Sequence, residues 1–149
     1  MRRDNSFNQV IESHVYGPIV AAADNTPATI DLVDADSATL LIAVGIGGIT
    51  FDGTNKIEFK VTHSDDDSTY TAVGADDVVL NTNADTSVGS GGIVKSLIAA
   101  HAAADVSKVG YIGGKRYIKV LNDFSGTHGT GTPIAVMVVK SRLHQAGVA

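Results

Sequence analysis

Between Lys56 and Thr62, apolar and polar residues alternate without a break. Ile57, Phe59 and Val61 fall on one side of an extended chain, and Glu58, Lys60 and Thr62 on the other. A period of two is the signature of a half-buried strand. It constrains this chain more than any other feature, because it recurs in short segments divided by turn residues. Phe51-Asp52-Gly53-Thr54-Asn55 reads as a turn before the segment, and Thr69 to Val73 alternates again after it, with Tyr70 and Thr71 typical strand formers. Two such segments joined by a short polar loop predict a hairpin.

The same grammar extends along the chain. Ala28 to Val33 is a short strand ending in acidic turn residues, and Asp77 to Leu80 is another. Ala38 to Val44 is a continuous apolar run that suits the middle of a sheet buried on both sides. Asn81 to Gly92 is a loop of small polar residues and glycine. Gly92 to Val106 reads as a strand in its first half and as an irregular or helical turn through Ala102 to Asp105. Further on, Lys115, Tyr117 and Lys119 share one side of a strand, and Arg116, Ile118 and Val120 the other. The glycine-rich stretch Phe124 to Gly131 and the apolar strand Pro133 to Lys140 complete what reads as a second hairpin, with an extended tail after it. About eight short strands without βαβ alternation define an all-β chain, a β-sandwich or jelly roll. The expected division is an N-terminal arm at 1–17 and one sandwich domain at 18–149. Ile57, Phe59, Val61, Ile118, Val120, Val136 and Val138 are its expected core.

A chain of 149 residues is one domain's worth and can bury a core without staples, which fits the absence of cysteine. Eleven basic residues stand against 16 acidic ones, a net charge of −5, which argues against a phosphate-binding surface. No apolar run reaches the length of a membrane span, and the two arginines near the start precede no apolar segment of a secretory signal.

Chemistry-bearing motifs are few. Asp65, Asp66 and Asp67 beside His63 invite a hard-cation reading, but calcium ligands come from spaced positions, and adjacent residues point different ways. The stretch reads as a turn, in which Asp and Ser bond their own backbone. His14, His63, His101, His128 and His144 show no metal-ligand spacing, and no G-x-S-x-G elbow occurs. Gly45-Ile46-Gly47-Gly48 has threonine at the position where a dinucleotide fingerprint needs its third glycine, and no βαβ unit follows. Lys115, Arg116 and Tyr117 form a cationic, aromatic face suited to an acidic partner, or else a solvated face with lysine stems lying along the sheet.

Two stretches carry a resemblance. Ser64-Asp65-Asp66-Asp67-Ser68-Thr69-Tyr70 follows a strand as S-D-D-x-S-x-Y, and Val109 to Val120 reads V-G-Y-x-G-x-K-R-Y-I-x-V. With the apolar strand Pro133 to Lys140, they resemble the cement or decoration proteins on the outer capsid shell of tailed bacteriophages; the similarity covers about half of the chain and fades over Asn81 to Lys108. The resemblance implies a jelly-roll sandwich that staples neighbouring major capsid subunits, with no enzyme activity and no cofactor; no metal, no direct nucleic-acid contact and no membrane are expected from the residues themselves. It places the protein on the virion surface, and in the host cytoplasm during assembly. A head-tail connector or tail component is the alternative, and a carbohydrate-binding sandwich a further one, weakened by the absence of tryptophan.

Partner contacts are expected in two places. Phe7, Val10, Ile11 and Tyr16 give the N-terminal arm apolar residues that a solvated tail would not need, and Lys115, Tyr117 and Lys119 face acidic capsid loops. The apolar runs Ala38–Val44 and Ile134–Val139 need cover, which predicts a homodimer near local two-fold axes, with a trimer as the alternative.

Overall fold

The structure, a computed structural model, describes residues 10–143 apart from residue 82, with the backbone alone at 10–14 and 142–143. Ten strands follow in chain order: β1 (Val10–Ala21), β2 (Ile30–Asp31), β3 (Ala35–Val44), β4 (Lys56–Ser64), β5 (Thr71–Ala72), β6 (Val78–Asn81), β7 (Ile93–Leu97), β8 (Asp105–Tyr111), β9 (Tyr117–Ser125) and β10 (Thr132–Leu143). They form two sheets, and the described residues contain no helix. One sheet runs β1-β10-β3-β8-β6; the other runs β2-β9-β4-β5, with β7 also paired to β4.

Every described pairing is antiparallel, and four of the long-range ones nest. β1 pairs β10, β2 pairs β9, β3 pairs β8 and β4 pairs β7. The chain is thus one long hairpin, innermost at β4 and β7, whose successive pairs fall in alternate sheets. Alternation of side chains in each strand then sends one set of residues into the space between the sheets. β3 and β4 bury every second residue, and Ile57, Phe59, Val61, Ile118, Val120, Val136 and Val138 are all fully buried, as their alternation predicts. Leu40, Ile42, Val94, Val109 and Ile134 fill the rest of the same core.

Two buried lysines are each paired with a carboxylate. Lys95 on β7 is buried and donates to the Asp105 carboxylate on β8 (3.1 and 3.2 Å) and to the Asn83 carbonyl (2.9 Å). Lys140, in phase with Val136 and Val138, donates to Asp34 (2.8 Å). The edge of β9 beyond the short β2 is closed by side chains: Asn25 bonds the Val120 carbonyl and the Asn122 amide, and Asp24 accepts from the Phe124 amide. Such closure satisfies backbone groups that a bare edge would leave open to pairing.

Three expectations need correction. Residues 10–17 are no separate arm, because β1 begins at Val10, opposite Ser141, and runs to Ala21. The sequence hid this strand because two register shifts, between His14 and Tyr16 and between Tyr16 and Ile19, break its alternation. Pro18 reads as a stop, yet it is allowed here because β1 is an edge strand. Residues 1–9 lie outside the described residues. Second, the glycine turn after β9 does not close a hairpin: β9 and β10 lie in different sheets, and the turn crosses between them. Third, β3 is central in its sheet but covered on one face only by the described residues; Leu40, Ile42 and Val44 are buried, while Thr39, Leu41 and Ala43 are half-buried on the other.

Candidate functional site: the outer faces of the sandwich

The β4–β5 hairpin ends in the aspartate run, and the geometry there is that of a turn. Asp66 accepts from the amides of Ser68 (2.9 Å) and Thr69 (2.8 Å) and from the hydroxyls of Ser64 (2.7 Å) and Ser68 (3.1 Å). These donors, led by the Thr69 amide, hold its carboxyl far below the usual carboxylate range. Asp67 takes a positive φ of 54°, which aspartate tolerates, and accepts from Tyr70 and Thr29 hydroxyls. Asp65 is exposed. Among the described residues no three His, Asp or Glu side chains gather as metal ligands would.

The corner between β8 and β9 comes to lie beside this hairpin tip. Thr62 and Ser64 on β4 pair with Lys119 and Tyr117 on β9, so the register brings the two stretches together. The Lys119 ammonium stands 3.9 Å above the Tyr70 ring and 4.0 Å from Asp67. Lys115 donates to the Thr71 hydroxyl (2.9 Å). Arg116 lies over the Tyr117 ring, 4.8 Å from its centroid, and grips Asp31 in a bidentate pair of 2.8 and 2.7 Å. That pair holds the Asp31 carboxyl down at about 2. Tyr70 and Tyr117 each have one ring face covered by a cation, which leaves no open stacking platform on those faces. An open cleft of about 310 Å³ adjoins the corner, lined by Val33, Ser37, Tyr111, Lys115 and Arg116 among others.

Of the expected contact residues, Lys115, Tyr117 and Lys119 thus share one patch, although Lys115 lies in the corner rather than on the strand. Tyr16 pairs with Val136 and packs, half-buried, against the core. Val10 and Ile11 sit in β1 opposite Ser141 and Lys140, and Phe7 lies outside the described residues. Asp31, Thr29 and Asp67 complete the patch and were not singled out as contacts, because only the register shows that they meet.

The rest of that sheet's outer face is charged. Lys56 pairs Glu58 (2.7 Å), and Lys60 bridges Glu58 and Asp123. The opposite outer face is apolar. Its cross-strand rows read Ala135–Ala43–Val106, Met137–Leu41–Lys108–Asn81 and Val139–Thr39–Gly110–Val79. Met137, Val106 and Val79 are 40%, 50% and 52% exposed.

Comparison of the chain with protein-family models, with curated proteins and with solved structures finds no match.

Proposed function

We propose that this protein is a structural component of a bacteriophage virion, a cement protein that binds the outer surface of the capsid and staples neighbouring major capsid subunits. The observation that carries the reading is the meeting of the two resembling motifs. Tyr70 and Asp67 of the first motif and Lys115, Arg116, Tyr117 and Lys119 of the second build one half-buried to exposed patch of aromatic rings and paired charges at one end of the sandwich. Aromatic and arginine side chains are what protein interfaces enrich.

The nested strand pairs support the jelly-roll form of the sandwich, since a rolled hairpin with alternate pairs in opposite sheets is the arrangement that architecture requires. Jelly rolls serve shells and sugars alike, so the reading leans on the patch and not on the fold. Many copies on an icosahedral shell would add modest contacts into tight coverage.

Charge reversal tests the patch. Lys115→Glu combined with Lys119→Glu should lower occupancy on particles, and raised salt should lower wild-type occupancy as well, because an exposed charged contact is screened. Particles without the protein should assemble but release DNA at a lower temperature. Unchanged occupancy in the charge-reversed protein would remove the patch from the contact. Recovery of the protein only with tails would favour the connector or tail role.

A further inference from the structure

Two buried polar side chains meet between the sheets at the end of the sandwich that carries the patch. His63 follows Ile57, Phe59 and Val61 on the inner face of β4, and Tyr111 follows Ser107 and Val109 on the inner face of β8. Their rings meet edge to face, with centroids 6.0 Å apart. The Tyr111 hydroxyl lies 3.0 Å from His63 Nδ1. The same hydroxyl accepts from the Lys115 amide (3.2 Å) and has the Lys115 carbonyl within reach of its proton (3.3 Å). Gly113 leaves the space for this, since a Cβ there would lie 2.7 Å from the hydroxyl oxygen. We propose that His63 and Tyr111 form a proton-operated switch: uptake of a proton by His63 turns the Tyr111 hydroxyl proton to the Lys115 carbonyl and so resets the β8–β9 corner that carries Lys115 and Arg116.

The count of donors and acceptors carries the argument. The hydroxyl has one proton and two acceptors in reach, His63 Nδ1 and the Lys115 carbonyl. The Asp77 carboxylate, 3.9 Å from His63 Nε2, favours a proton on that nitrogen. Neutral His63 then offers Nδ1 as an acceptor, and Tyr111 donates to it. A charged imidazolium has two donors and no acceptor. Its Nδ1–H points at the hydroxyl oxygen, which leaves the tyrosine proton only the Lys115 carbonyl. The corner is thus held through one bond of Lys115 in the neutral setting and through two in the charged one. Tyr111 keeps its proton in both, because burial pushes its pKa above the usual tyrosine value.

Asp77 is a second link between His63 and the corner. Its backbone carbonyl accepts from the Ile112 and Gly113 amides (2.8 and 2.9 Å), and its carboxylate accepts from the Gly74 amide (2.7 Å). A charge on His63 therefore attracts a residue that holds the start of the same corner. In its own sheet His63 lies between Thr71 on β5 and Ile118 on β9, neither of which titrates in this range. The charged groups that face it among the described residues are Asp77 from the turn before β6, Lys115 from the corner and Asp65 from the hairpin tip. Burial opposes the proton most, Lys115 opposes it too, and Asp77 and Asp65 favour it, so the change falls below the ordinary histidine value of 6.5. Lys115 and Arg116 belong to the patch, which therefore has two settings, one on either side of the His63 midpoint.

Nuclear magnetic resonance of the isolated full-length protein tests this without any capsid, so its outcome is separate from that of the virion reading. Ring nitrogen shifts of neutral His63 should show the Nε2–H tautomer. From about pH 8 down to the acid limit of the fold, the Lys115 and Arg116 amides should shift with the midpoint of the His63 ring. The Arg116 amide reports on the Lys115 carbonyl because the two share one peptide plane. Tyr111→Phe should leave His63 titrating and remove most of the corner's shift, and His63→Gln should abolish that midpoint at the corner. Should Tyr111→Phe fail to fold, the tautomer and the wild-type midpoints decide the case. A neutral Nδ1–H tautomer would overturn the proposal, because the hydroxyl would then point at Lys115 in both settings. So would a His63 that stays neutral until the fold is lost, corner amides that do not follow its midpoint, or a corner shift that survives in full in Tyr111→Phe or His63→Gln.

Discussion

At the scale of single residues, three adjacent aspartates have three different fates. Asp66 is bonded by two amides and two hydroxyls, Asp67 joins the patch with Tyr70, and Asp65 points into water. Asp65→Asn should leave the melting temperature within error of wild type. Asp66→Ala should lower it clearly, because the turn's amides lose their acceptor. Calcium should shift neither variant more than it shifts wild type; a large calcium-dependent rise in wild type alone would indicate a bound cation. His63 is the second informative residue. It is buried on β4, and its Nδ1 lies 3.0 Å from the Tyr111 hydroxyl on β8, with Asp77 3.9 Å from Nε2. Burial pushes its pKa below 6.5, assisted by Lys115 and opposed by Asp77 and Asp65. The unfolded chain therefore takes up this proton first as pH falls, so the stability His63 contributes is complete above about 6.5 and declines below it. Melting between about pH 8 and about pH 5 should fall more steeply for wild type than for His63→Gln. Equal slopes would show that His63 is not a source of acid sensitivity. The turn role of the aspartates was legible from residue type alone; the His63–Tyr111 bond was not, because the two residues meet only across the sandwich.

At the scale of elements, the alternation read from Ile57 to Val61 and from Ile118 to Val120 gave the buried face correctly, since period two leaves no other choice of side. What alternation could not give was β1. Its two bulges shift the phase, and Pro18 breaks the pattern, so a 12-residue edge strand reads as an arm. Nor could it give sheet membership: the crossing from β9 to β10 needs long-range pairing that no local signal carries. The candidate patch was legible in part. Lys115, Tyr117 and Lys119 stand out as cations around an aromatic ring, whereas Asp31 and Thr29 enter only through the fold. Placing β1 in the sheet changes what truncation should do. Deletion of residues 1–9 leaves every described pair of β1 with β10 in place and should cost less than deletion of the strand. Deletion of residues 1–21 removes β1, bares the long edge of β10, and should destabilise the protein and promote aggregation. Equal stability of the two truncations would mean that β1 contributes nothing to the sheet.

At the scale of the whole molecule, the two sheets share one core but turn different faces outward. One face is charged and ends in the patch of aromatic rings and paired charges; the other is apolar in its middle rows. A protein with two dissimilar outer faces can join two dissimilar surfaces, and under the proposed function the end with the aromatic patch is the one that meets the shell. Imaging of purified phage particles assembled in the presence of this protein tests the proposed arrangement directly. The account predicts two-sheet density on the outside of the shell, with the end that carries Tyr70, Lys115 and Lys119 seated on the major capsid protein. A bare shell with the same density in the tail or connector, or particles that lack the protein altogether, would contradict it.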